Sequence, residues 1–191
     1  MKKNIILLLF ISLFCVSCIK DFEETTAYPY KVGDVFSEGG VMGLVVKISD
    51  DGLHGMIVSL NEFECAWGDT LKMNTNDTIN GLINMVKIKT SVDWQTKFPA
   101  FYWCDCKNGE GVSGWYLPAK NEMEEIMSQR MELNKVLEEI GSQTMFGKMY
   151  WTSTEYGKYE AYHANFIRGE MENYAMKNNK KTLFVRAIKE F

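Results

Sequence analysis

Histidine is scarce in this chain: His54 and His163 are the only two in 191 residues. They lie far apart, and no cysteine set with zinc spacing accompanies either one. A Gly-x-Ser-x-Gly elbow, a P-loop and a dinucleotide fingerprint are all missing. The expectation is a domain without a catalytic metal or an organic cofactor. Lysine and arginine form no cluster, so the electrostatic footprint of a nucleic-acid binder is missing too. No apolar run reaches the roughly 20 residues needed to span a bilayer. There are no low-complexity stretches and no internal repeats.

Cysteine is sparse as well. Of the five, Cys15 and Cys18 lie in the N-terminal segment, leaving Cys65, Cys104 and Cys106 for the folded part. Three thiols allow at most one bridge. Cys104 and Cys106 are two apart, a poor geometry for a mutual bond on a helix. They read either as small buried hydrophobes or as a pool from which Cys65 takes one partner.

The N-terminus is where the sequence becomes specific. Lys2 and Lys3 precede the apolar run Ile5–Phe14, broken only by Ser12. A basic start, a short apolar run and small residues after it read as a secretory signal. Val16-Ser17-Cys18 resembles the cleavage box of bacterial lipoproteins, with Cys15 where that box prefers Leu. The resemblance implies a signal peptide over 1–17, lipid on Cys18 and a tether over 18–30. It also implies a membrane partner through that lipid and a place in the outer membrane, exposed at the cell surface. Lys20-Asp21-Phe22-Glu23-Glu24 suits either an acidic surface-export signal or a plain solvated tether. Loss of 1–17 removes Lys2 and Lys3 and takes the formal charge from −4 to −6.

The remaining residues, 31–191, suit one domain by length and apolar content. Val41–Ser49 and His54–Leu60 are strand-like, and Asp50-Asp51-Gly52 between them has turn chemistry, which predicts a hairpin. Ile79–Ile88 has helical spacing, with Leu82, Ile83, Met85, Val86 and Ile88 apolar. Pro99 and Pro118 each suit a helix start. Met123, Ile126 and Met127 share one helix face, and Leu133, Val136, Leu137 and Ile140 share another. From Met149 the chain reads as strands: Met149–Thr152, Ala161–Ile167, Glu172–Met176 and 182–188. Strands, then helices, then strands again predict an α+β domain with an antiparallel sheet.

Gly114-Trp115-Tyr116-Leu117-Pro118-Ala119, Tyr150-Trp151-Thr152-Ser153-Thr154-Glu155 and Phe184-Val185-Arg186 form an ordered set. With the early hairpin and Ala66-Trp67-Gly68, they resemble the C-type-lectin-like domains of bacterial surface lipoproteins. Similar sets occur in the C-terminal domain of a collagen-like adhesin and in the Fibrobacter-type paralogous domain. The resemblance implies a twisted antiparallel sheet with flanking helices and paired first and last strands, here the runs around 44–48 and 183–188. It implies a non-catalytic binding or adhesion module for a glycan or a surface protein. A structural subunit of a surface assembly and an enzyme akin to the formylglycine-generating enzymes are the rival readings. Those enzymes need a late cysteine pair, and this chain has no cysteine after Cys106. The calcium-binding segments of sugar-binding lectins are also missing.

Few residues stand out as contacts. Loops on a rigid scaffold usually carry recognition, which singles out 155–160 with Tyr156 and Tyr159, and 168–170 with Arg168. His163 sits mid-strand and reads as a ligand contact or, more simply, as a structural residue. His54 reads as an exposed turn residue. Trp115 and Trp151 read as core, and Glu155 as part of a buried polar bracket. Asp69-Thr70-Leu71 and Asp77-Thr78-Ile79 match a short O-glycosylation signal, making Thr70 and Thr78 candidate acceptors.

Overall fold

A computed structural model describes residues 30–180 and 183–191. The expected signal peptide, Cys18 and nearly all of the tether lie outside the described residues, as does Thr182. The hairpin forms as expected. β2 (Val41–Ile48) pairs antiparallel with β3 (Gly55–Val58), and Gly52 takes a positive φ of 72° in the turn between them. One strand escaped the sequence reading. β1 (Val35–Glu38) pairs with the other edge of β2.

The middle of the chain is helical, running α1 (Gly81–Lys89), α2 (Trp94–Lys97), α3 (Pro99–Asp105), α4 (Lys120–Ser128) and α5 (Arg130–Glu139). Pro118 stands two residues ahead of its helix; its carbonyl accepts the Ser153 N–H at 2.7 Å. Gly81 has to be glycine because a Cβ there would run into the Leu117 carbonyl. α1 buries Met85 and Ile88 but turns Leu82, Ile83 and Val86 to solvent. The cause is Asn84, which points inward and donates to Asp77 O at 2.7 Å and Ser153 Oγ at 3.0 Å.

The late strands are β5 (Met149–Glu155), β6 (Glu160–Asn165), β7 (Glu170–Met176), β8 (Leu183–Val185) and β9 (Ile188–Glu190); β4 is the short Phe63–Glu64. They complete two sheets, ordered β1-β2-β3-β9 and β4-β8-β5-β6-β7. The second is antiparallel except where β5 meets β8. This is the expected α+β, C-type-lectin-like class, and the first sheet joins the two ends of the domain.

The finer pairing differs from the expectation. The run 182–188 splits, so β8 lies in the second sheet while β9 returns to the first and pairs with β3 rather than β2. Both sides of β2 are already occupied by β1 and β3, which leaves the β3 edge as the open position. Arg186 marks the crossover. Its buried guanidinium binds Glu62 Oε2 at 3.0 and 3.1 Å, Ser59 O at 2.8 Å and the Gln143 carbonyl. A charge can be held inside only when paired and hydrogen-bonded in this way. Trp67, Phe98, Phe101, Trp151, Leu117 and Ile188 lie between these layers in one apolar core.

Candidate functional site

The end of β5 fixes the loops around it. Thr152, Ser153, Thr154 and Glu155 are all buried. The Thr154 hydroxyl donates to Asp77 O at 2.8 Å and accepts the Lys120 N–H at 3.1 Å. The Thr152 hydroxyl donates to Tyr162 O at 2.9 Å, and its carbonyl accepts the Trp67 indole N–H at 2.7 Å. The polar bracket expected here therefore ties β5 to residues 69–80, to β6 and to the start of α4.

At the centre of this region is a buried ion pair. Lys177 Nζ lies 2.7 Å from Glu155 Oε2, 2.8 Å from Gly157 O and 3.0 Å from Leu71 O. The ammonium also sits 4.5 Å from the Trp67 ring centroid, on the π face. All three N–H donors are used. Burial pulls the Lys177 ammonium below the usual lysine range, while Glu155 opposes that shift. Glu155 also accepts the Met73 N–H at 3.1 Å, and the Glu155 N–H donates to Thr75 O at 2.9 Å. Thus one ammonium and one carboxylate hold residues 69–80, the β5–β6 turn and Trp67 together.

That turn carries Tyr156 and Tyr159, which are 58% and 47% exposed. The Tyr156 and Gly157 N–H groups both donate to Glu160 O, at 3.0 and 3.1 Å. Tyr156 stands edge-on to Tyr162 at 5.5 Å, and Lys158 Nζ lies 5.2 Å from the Tyr159 ring centre. The result is a pair of exposed aromatic rings with an ammonium beside them, mounted on a fixed backbone. Such a surface can stack against a sugar ring or pack against an apolar side chain.

Arg168 and His163 belong to a different place. They meet at Glu172, which pairs with His163 on β6, roughly 10 Å along the strand from the turn at about 3.3 Å per residue. Glu172 accepts from His163 Nε2 at 2.9 Å, Asn165 Nδ2 at 3.1 Å, Tyr174 Oη at 2.6 Å and Arg168 Nη1 at 3.4 Å. His163 is only 1% exposed, so it is an internal residue and not a contact on the surface. Burial lowers its pKa, with Glu172 opposing, which keeps the imidazole neutral. Burial raises the Glu172 carboxyl, but the hydrogen bonds from Tyr174, Asn165 and His163 outweigh it and leave the pKa lowered. Thr70 and Thr78 are half-buried within 69–80, and His54 is exposed beyond the hairpin turn.

Sequence reasoning missed a cleft of about 540 Å³ between the hairpin end and the starts of α1 and α4. Ile48, His54, Ile79, Asn121, Glu125 and Phe191 are among its lining residues. Glu122 also lines it, with its carboxylate committed to structure. It accepts the Ala119 N–H at 2.6 Å, the Gly81 N–H at 2.9 Å and the Tyr116 hydroxyl at 2.8 Å. One side chain thereby caps two helices. The helical start at 119–122 was visible in sequence, but the approach of Gly81 was not.

Comparison with known proteins places this geometry. A solved fimbrial protein from Bacteroides ovatus ATCC 8483 shares the fold, with a TM-score of 0.68 and 17% identity. The match covers 85% of this chain and 49% of the fimbrial protein, so the chain spans about half that protein's length. No curated protein matches the chain. The Lcl C-terminal domain family matches residues 62–189, which include all five helices found among the described residues and the second sheet. That match covers well over half of the sequence, and the chain belongs to the Lcl C-terminal domain family.

Proposed function

We propose that the protein is a lipid-anchored module of the bacterial cell surface that binds a glycan or a protein partner without catalysing a reaction. The observation that carries this reading is the Tyr156–Tyr159 turn, two exposed aromatics fixed from below by the Lys177–Glu155 pair. Rigid aromatic groups lose little conformational freedom when they bind. Family membership and the fold shared with a fimbrial protein support a surface role. The Met1–Cys18 pattern supports the lipid anchor. Two measurements test the proposal. Mass spectrometry of the mature protein should find lipid on Cys18 and no residues 1–17. A screen of the protein against glycans and host-surface proteins should yield a ligand whose binding is lost on changing Tyr156 and Tyr159. An intact Met1 removes the anchor, and a ligand indifferent to both tyrosines removes the face.

A structural subunit of a surface assembly is the second reading. α1 favours it, because Leu82, Ile83 and Val86 form an exposed apolar stripe at helical spacing, with Ile79 exposed just ahead of the helix. Sedimentation at rising concentration should then show self-association that Val86→Glu abolishes. A monomer at every concentration removes this reading.

A further inference from the structure

Two of the three domain cysteines lie across one dry interface, and the site described above uses neither. Cys65 follows β4 directly and donates its N–H to Leu183 O of β8 at 3.3 Å. Its carbonyl accepts the Trp151 indole N–H at 2.9 Å. Cys104 is fully buried on α3, on the same face as Phe101 one turn earlier. α3 packs against β8. Trp67, two residues beyond Cys65, meets Phe101 edge-on at 4.8 Å. The strand side therefore presents Cys65 and Trp67, and the helix side presents Phe101 and Cys104. Both thiols are free in the structure; burial is the main cause that raises Cys104, and a charge on Cys65 would raise it further. Cys106 is exposed at the end of α3 and shares a hydrogen bond with Tyr102.

We propose that Cys65 and Cys104 form a disulfide site that closes when the chain folds in an oxidising compartment. The compartment follows from the surface reading above; the pairing follows from the interface. Burial pushes the Cys65 thiol up to about 12 and raises Cys104 well beyond the ordinary thiol range, so the folded protein holds almost no thiolate at neutral pH. Closure therefore belongs to the folding chain, before the interface dries. The oxidant is a disulfide, supplied by a thiol-oxidoreductase or by oxidised glutathione. One cysteine thiolate attacks the oxidant's sulfur–sulfur bond, forming a mixed disulfide and releasing one oxidant thiolate. The second cysteine then attacks the first cysteine's sulfur, forming the protein bond and releasing the other oxidant thiolate. Two electrons pass to the oxidant, and the two protons end on its two thiols.

The test uses the full chain with Cys15→Ser and Cys18→Ser, so that only the three domain thiols remain. Reduced protein is unfolded in guanidinium, refolded with oxidised glutathione, quenched by alkylation and weighed. The expected product lacks two hydrogens, leaves one thiol alkylated, and yields a Cys65–Cys104 linked peptide. Cys106→Ala should keep the bridge, while Cys65→Ala and Cys104→Ala should each lose it. The bridged form should melt roughly 10 °C higher than the reduced form. Three alkylated thiols after refolding, or a bridge that includes Cys106, overturns the proposal. Cell fractionation addresses the surface reading separately. Unprocessed chain in the cytoplasm would sink that reading and leave the refolding result to decide the pairing.

Discussion

The Lys177 ammonium lies 2.7 Å from the Glu155 carboxylate, with 0% and 4% of the two side chains exposed. Lysine is rarely buried without a partner, and here the partner has its own backbone N–H contact with Met73. The pair joins three segments distant in sequence, through Leu71 O, Gly157 O and the Trp67 ring. Its role in this fold is to fix one loop cluster and the tyrosines on it.

Lys177→Met should therefore be more damaging than a surface change. It leaves the Glu155 carboxylate buried without its counter-charge, a loss worth about 3–5 kcal/mol. Adding Glu155→Gln removes the stranded charge and should restore part of the stability. Guanidinium unfolding of the two single variants and the double variant measures both effects. A double variant as weak as the sum of the singles would show that the pair does not act as a unit.

Acid should loosen the Glu172 cluster in two stages. His163 has a folded pKa below its ordinary 6.5, so its contribution is present above that pH and is lost as pH falls. Glu172 is held below its ordinary 4.5, so its share is present above that value and disappears in more acidic solution. The charged or titratable neighbours are Arg168 and Tyr174, both of which donate to Glu172. Denaturant midpoints should fall as pH drops below about 6.5, and His163→Gln should flatten that first slope. An unchanged slope in the variant would assign the effect to other groups.

Much of the fold was legible because local chemistry dictated it. Asp50-Asp51-Gly52 between two apolar runs specifies a hairpin, and the apolar spacing of 123–127 and 133–140 specifies α4 and α5. β1 was not legible, since Val35–Glu38 has a single buried residue, Phe36. The split of the last strand was hidden because Arg186 finds Glu62, Ser59 and Gln143 only in three dimensions. At the candidate site, exposed tyrosines on a turn could be named from sequence. Lys177 could not, because a lysine following Met176 at a strand end reads as a surface residue. Glu172 was hidden in the same way, and its burial places His163 inside the domain rather than at a contact.

Trp151 and Trp115 should be costly to remove. Trp151 is fully buried and its indole N–H bonds Cys65 O, while Trp115 is 5% exposed. Replacement of either by alanine should cost about 3–5 kcal/mol, from lost burial and the cavity left behind. Trp151→Ala should be the worse of the two, because it also strands the Cys65 carbonyl. Thermal melts of both variants check the values. Parent-like stability in either would mean that its ring is not part of the core.

The tyrosine turn offers the most direct separation of fold from function. Tyr156 and Tyr159 are both largely exposed, and their backbone is held by Glu160 O and by Lys177 rather than by their rings. The Tyr156→Ala, Tyr159→Ala double variant should therefore melt within a few degrees of the parent, as exposed substitutions usually do. It gives up the edge contact of Tyr156 with Tyr162 and the Lys158 ammonium's contact with the Tyr159 ring. Binding to a ligand identified on the parent should weaken tenfold or more, since aromatic anchors typically contribute above 1–2 kcal/mol each. Titrations of both proteins against that ligand, with melting curves taken on the same samples, give the answer. Equal affinity moves the contact surface elsewhere, with the cleft lined by Ile79 and Phe191 as the next face to vary.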